Sequence, residues 1–158
     1  MSPQPSPDEF SWNDGFLLGY PPMDAVHEEF VGLVGAMKTA SDADLPALLD
    51  RFAVHAKDHF QAEDAWMEQT DFPARECHVG EHAAVLSSVM AVQQQLKDGG
   101  DCTSARRLVT HLEAWFPGHA DYLDAALSHW MCKLRWGGKP VVVRRNLPGS
   151  AAAVRAPE

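Results

Sequence analysis

Cysteine is scarce in this chain, and the three present, Cys77, Cys102 and Cys132, match no disulfide or zinc spacing. An odd, unpatterned set excludes a disulfide scaffold and fits a reducing compartment. Positive charge is short as well: 13 lysines and arginines stand against 22 aspartates and glutamates, a formal net charge of −9. That balance argues against nucleic acid or an anionic membrane surface as partner. No apolar run approaches the roughly 20 residues needed to span a bilayer. The first ten residues, MSPQPSPDEF, hold neither a basic stretch nor an apolar one, so they do not read as a secretory signal and the expected location is cytoplasmic. Strand-like alternation and internal repeats are missing too.

What is present suits one domain: 158 residues, 46% of them apolar, enough for a single sizeable core. Residues 1–19 form a proline-rich, polar arm in which Phe10, Trp12 and Phe16 are the expected anchors. A first helix is expected from Asp24, read as an N-cap after Pro21-Pro22, to about Ala40. A second begins near Ser41–Asp44, tolerates Pro46 in its first turn, and ends at about Gln69 before Thr70-Asp71-Phe72-Pro73. A third runs from about Pro73 to Lys97 and stops at Gly99-Gly100. A fourth runs from Asp101–Ser104 to about Arg135. Four helices on short turns predict an all-α fold, an antiparallel up-down-up-down four-helix bundle over 20–136. Residues 137–158 read as a flexible or loosely docked tail with Lys139, Arg144, Arg145 and Arg155.

The chemistry lies in the histidines. His59/Glu63 and His78/His82 are i, i+4 pairs, so each pair puts two metal-ligand groups on one helix face. Phe52 and Met67 extend the first face; Leu86 and Val89 extend the second. His27 precedes Phe30, Val31 and Val34, and His119 follows Leu112, Trp115 and Phe116. All four helices then offer a ligand to the bundle centre, a recurrent place for metal sites. A single inward histidine is ordinarily a hydrogen-bonded core residue. Five, with a carboxylate, would be a costly cluster of unpaired polar groups without a metal. Imidazoles with carboxylates suit iron, zinc, copper or nickel, and the set is too large for one tetrahedral zinc. A further carboxylate is open at this point. Asp124 lies five residues after His119, about 140° away on an ideal helix, and Asp121 is placed no better.

Four stretches resemble the hemerythrins, in particular the single-domain bacterial ones. They are Met23-Asp24-Ala25-Val26-His27, His59-Phe60-Gln61-Ala62-Glu63 with Met67, His78-x-x-x-His82, and Trp115-Phe116-Pro117-Gly118-His119 with Asp124. The likeness spans roughly residues 12–134 and fills seven ligand positions in order, a far more specific signal than one short motif. It implies two non-haem iron ions joined by an oxo or hydroxo bridge. One would be held by His78, His82 and His119, the other by His27 and His59, with Glu63 and Asp124 bridging. The second iron would keep an open position where dioxygen binds reversibly, taking two electrons from the pair. Phe60, Trp115, Phe116 and Ala120 would line the oxygen pocket. No catalytic residue is implied, and a monomer is the expected state.

This sequence departs from the family pattern in three places. Val26 stands where the family has glutamine, and Glu63-Asp64 where it has two glutamates. The third departure is Phe116-Pro117-Gly118-His119-Ala120, where the family motif commonly has leucine after the tryptophan and isoleucine after the histidine. Pro117 is expected to remove a backbone hydrogen bond and kink the helix, and Ala120 to open the pocket and speed autoxidation. Outside the set, His55, His111 and His129 read as structural or solvated, Cys77 as lying away from the metal, and Trp66, Trp115, Trp130 and Trp136 as packing residues. Met67, Met90 and Met131 read as core. The competing function is a di-iron redox enzyme or scavenger acting on peroxide or nitric oxide. Ferritin-like enzymes of that kind use Glu-x-x-His pairs, and none occurs in this chain. A hydrolytic zinc site is weaker still, for want of His-Glu-x-x-His.

Overall fold

The computed structural model describes residues 9–144. Arg145, Arg155 and the rest of the expected tail beyond 144 lie outside the described residues, as do residues 1–8. Four long helical rods account for the described chain, and it contains no strand. They are α1 (Pro21–Thr39), α2 (Leu45–Gln69), α3 (Arg75–Lys97) and a compound fourth rod. That rod is α4 (Thr103–His119), a π-helical turn (Ala120–Asp124) and α5 (Ala125–Trp136) in unbroken succession. Each rod packs on its two neighbours, α1 on α2, α2 on α3, α3 on α4 and α4 on α1, which is the expected antiparallel bundle.

Local chemistry sets the turns. Both α2 and α3 end in a Schellman motif. After α2 the left-handed residue is Asp71 (φ 54°), and the Phe72 N–H donates to the Met67 carbonyl at 2.9 Å. After α3 it is Gly99 (φ 88°), and the Gly100 N–H donates to the Gln95 carbonyl at 2.9 Å. The start of α1 corrects the expected N-cap: the helix begins at Pro21, where proline is favoured in the first turn. Asp24 sits inside it and accepts hydrogen bonds from the N–H groups of Leu18 (2.8 Å) and Gly19 (3.0 Å). The arm is docked by Phe10, Trp12 and Phe16, which pack on the core. Gly35 permits this, because a Cβ there would run into the Phe10 carbonyl.

Two apolar cores fill the bundle. The larger gathers Phe30, Val34, Phe52, Phe60, Val85, Leu112 and Phe116. The smaller gathers Tyr20, Met23, Met67, Phe72, Leu127 and Met131. Along α1, α2 and the compound fourth rod the two lie on either side of a stretch that carries buried histidines and carboxylates, and α3 adds His78 and His82 to the same polar layer. Met90 is a correction: it is 66% exposed. The inward stripe of α3 is His78, His82, Val85 and Val89, and Met90 stands one step further, about 100° round the helix. Trp136 is likewise mostly exposed, although its ring lies 5.6 Å from Tyr20.

Candidate metal centre

All seven expected residues meet in the polar layer. His27, His59, Glu63, His78, His82, His119 and Asp124 are each at most 5% exposed. Their ligand atoms fall into two groups that share Glu63: Glu63, His78, His82, His119 and Asp124 in one, His27, His59 and Glu63 in the other. Within each group the atoms lie inside 4.8 Å of one another.

The two carboxylates straddle these groups. Glu63 Oε1 faces His59 Nε2 at 2.9 Å and His27 Nε2 at 3.6 Å, while Oε2 faces His82 Nε2 at 3.2 Å and His78 Nε2 at 3.6 Å. Asp124 Oδ2 lies 3.1 Å from His27 Nε2, while Oδ1 lies 2.8 Å from His78 Nε2 and 3.2 Å from His119 Nε2. Each carboxylate therefore turns one oxygen to the pair His27/His59 and the other to the triplet His78/His82/His119.

Asp124 reaches this position through the π turn. There the Ala125 N–H donates to the Ala120 carbonyl, five residues back, so the turn is one residue wider than an α turn. Residues five apart are brought toward one face, and Asp124 joins His119. The α-helical estimate of 140° fails for that reason. Pro117 supplies no N–H to the ladder in the preceding turn. Helix α4 continues through Pro117 all the same. The Ala120 N–H still donates to the Phe116 carbonyl four residues back, sharing with Pro117, and the wider turn follows over Ala120–Asp124.

Two carboxylates outside the expected set complete the arrangement. His82 Nδ1–H donates to Asp64 Oδ1 at 2.7 Å, and His119 Nδ1–H donates to Glu81 Oε2 at 2.9 Å. An ionised carboxylate only accepts, so both rings carry a proton on Nδ1, and in the neutral ring the Nε2 lone pair faces inward. Those two Nε2 atoms are 3.2 Å apart. At that distance two lone pairs repel, so the contact holds with a proton of one ring donated to the other or with a metal cation beside both. Asp64 and Glu81 each reach across to the next helix, which is why i, i+4 spacing within one helix could not find them. Replacing Asp64 by asparagine should weaken metal binding roughly ten- to a hundredfold, as loss of an outer partner commonly does. Equilibrium competition with a chromophoric chelator measures it, and unchanged affinity would deny Asp64 that role.

The cluster is poorly satisfied by its own members. Among the described residues, both nitrogens of His27 and His78, His59 Nδ1, Glu63 Oε2 and both Asp124 oxygens lack a hydrogen bond of sound geometry, although charges approach closely. Burial works against a proton on His27 and on His78. The carboxylates of Asp124 and Glu63 outweigh it and raise both imidazoles to about 9. Burial likewise disfavours the charged carboxylates, yet the surrounding imidazoles hold Glu63 and Asp124 below their ordinary range. Without a metal, His27 and His78 therefore keep a proton at neutral pH against these carboxylates. Orphaned buried lone pairs and a nitrogen–oxygen donor set fit a transition-metal site.

The remaining histidines and thiols stand apart. His111 and His129 are exposed and Cys77 is exposed outside the cluster. His55 is mostly buried, its ring 5.6 Å from that of His59. Burial, then the neighbouring His59, keeps its pKa below the usual imidazole value. Of the expected pocket residues, Phe60 lies flat on His82 (4.1 Å, 6°) and Phe116 stands edge-on to His27 (5.2 Å, 87°). Trp115 stacks on His119 at 4.2 Å, and Ala120 is buried in the larger core.

Fold and site together define a helical-bundle protein built around a buried cation-binding layer. Residues 18–127 match the hemerythrin HHE cation binding domain, and the chain belongs to the hemerythrin family. It is 40% identical over 122 residues to a bacteriohemerythrin of Ralstonia nicotianae, covering 77% of this chain and 88% of that one. It is 26% identical over 107 residues to a myohemerythrin of Riftia pachyptila, covering 68% and 88%. No solved structure matches the chain.

Proposed function

We propose that the protein binds dioxygen reversibly at a non-haem di-iron centre and is not an enzyme. His78, His82 and His119 would hold one iron and His27 and His59 the other, with Glu63 and Asp124 shared between the two. The observation that carries this reading is the split of both carboxylates, each with one oxygen toward the pair and one toward the triplet. The unequal histidine count leaves the His27/His59 side short of a ligand. Bound there, the iron pair supplies reversible two-electron binding of dioxygen. The chain's own part is to orient the imidazoles and exclude water. Phe116 covers His27, Phe30 stands edge-on to His59 at 6.0 Å, and Phe60 covers His82. A cytoplasmic monomer fits this role; no described helix is long and apolar enough to cross a membrane.

The test is the visible spectrum of the iron-loaded, reduced protein, taken anaerobically, with oxygen, and after oxygen is removed. A charge-transfer band that comes and goes with the gas supports reversible binding. A band that persists until a reductant is added moves the reading to redox chemistry on peroxide or nitric oxide. A branched side chain at position 120 should close the pocket, so Ala120→Ile is expected to lengthen the life of the oxygenated form several-fold. An equal decay rate in the two proteins would remove Ala120 from the pocket's control.

A further inference from the structure

A groove of about 660 Å³ runs between α1 and α2, outside the layer just described. Its walls include Glu29 from α1 and His55 and Asp58 from α2, and His59 also lines it. Glu29 and Asp58 are exposed. The His55 side chain is only 9% exposed, and its Nδ1 lies 3.5 Å from Glu29 Oε2. Its other nitrogen, Nε2, is buried and has no hydrogen-bond partner among the described residues. His59 Nδ1, inward of it, has none either. The two rings are 5.6 Å apart. The groove thus carries carboxylates at the mouth, a histidine in its wall whose unpartnered Nε2 is covered just beneath the surface, and a histidine of the buried layer.

The geometry points to a transit site for divalent transition-metal cations, by which metal reaches the buried layer from the α1–α2 face. Carboxylates draw a dication out of bulk water by charge. An imidazole nitrogen offers the softer donor that such metals prefer over magnesium or calcium. Glu29, His55 and Asp58 do not converge tightly enough to form a chelating group of the kind found in the layer. Capture there is therefore weak, as passage requires. Asp50 and Arg51 on the same wall carry opposite charges that offset each other formally, which leaves Glu29 and Asp58 as the net negative charge of the groove. His55 and His59, one turn apart on α2, both line the groove with their rings 5.6 Å apart. The inference rests on the buried layer being the metal centre.

The experiment uses the metal-free, full-length protein and Co²⁺, with uptake followed by stopped-flow visible absorption at low salt. Glu29→Gln/Asp58→Asn should load about tenfold more slowly than the parent and reach the same final stoichiometry. His55→Gln should slow loading as well. Glu76→Gln/Asp121→Asn, with the same charge change on the α3–α4 side, should load at nearly the parental rate. Equal rates in the groove and control variants, or a larger effect in the control, would overturn the route while leaving the layer as metal centre. No Co²⁺ uptake by the parent would sink both. Substoichiometric Mn²⁺ added to zinc-loaded protein should broaden the His55 imidazole resonances before those of His111 and His129. Uniform broadening of all three would also count against the site.

Discussion

Replacing Glu63 by glutamine is expected to leave a chain that cannot hold a pair of metal ions. Glu63 alone belongs to both ligand groups, with Oε1 toward His59 and His27 and Oε2 toward His82 and His78. A glutamine has the same shape but one oxygen and no charge. One group keeps a neutral ligand and the other faces an amide nitrogen that cannot coordinate. The carboxylate also offsets the repulsion between two close dications, which the amide cannot do. Affinity for the second ion should drop by at least about a hundredfold, the upper end of what loss of a mere outer partner costs. Metal analysis after gel filtration should then show about half the parental metal content. Two ions retained by the variant would mean that Asp124 and the histidines suffice, and that Glu63 does not bridge.

The same substitution reports on the metal-free state. Several imidazole nitrogens of the layer have only carboxylate charge for company. Taking away one carboxylate leaves a buried cation with one partner fewer, a change that is strongly destabilising. The metal-free variant should melt well below the metal-free parent. Asp64→Asn, by contrast, removes a partner that is 34% exposed and should cost little stability without metal.

The residues of this layer were legible in the sequence to differing degrees, and the reason is distance along the chain. His59/Glu63 and His78/His82 are visible as pairs because an α-helix returns to the same face after four residues. His27 and His119 are visible because their apolar neighbours mark the inward face. Asp124 was not derivable that way. It shares a face with His119 only because the chain takes a π turn between them, and nothing in Ala120-Asp121-Tyr122-Leu123 announces that turn. Only likeness to a known family singled it out. Asp64 and Glu81 were missed as partners, since their bonds to His82 and His119 cross between helices and depend on how α2, α3 and α4 sit together. Helix α3 shows the opposite limit. Its periodic stripe is sound, yet Met90 was assigned to the core by residue type and stands a step outside it.

Metal-free and metal-loaded protein should respond to pH in opposite ways. His27 and His78 are raised from 6.5 to about 9, the attraction of Asp124 and Glu63 outweighing the cost of burial. A group whose folded pKa is raised stabilises the fold fully below its unfolded value and loses that stabilisation as pH climbs to the folded one. The window of loss is therefore about 6.5 to about 9. On the acid side Glu63 and Asp124 are depressed, so their contribution is present above their ordinary values of 4.5 and 3.8 and is lost as pH falls through the folded ones. These are two views of one attraction and are not additive. The melting temperature of the metal-free protein should stay near its maximum up to about pH 6.5 and then fall, by an amount on the order of 10 °C by pH 9. A bound metal replaces the protons on His27 and His78, so loading near neutral pH must release them and becomes tighter as pH rises. Ligand binding to the folded state adds stability in proportion to that affinity. The gap between loaded and metal-free melting temperatures should widen steadily between pH 6.5 and 9. Calorimetric titration with Zn²⁺ in buffers of different ionisation enthalpy should count about two protons released per chain near pH 7. A flat melting curve for the metal-free protein across that window, or no proton release, would mean that the carboxylates do not hold protons on these imidazoles.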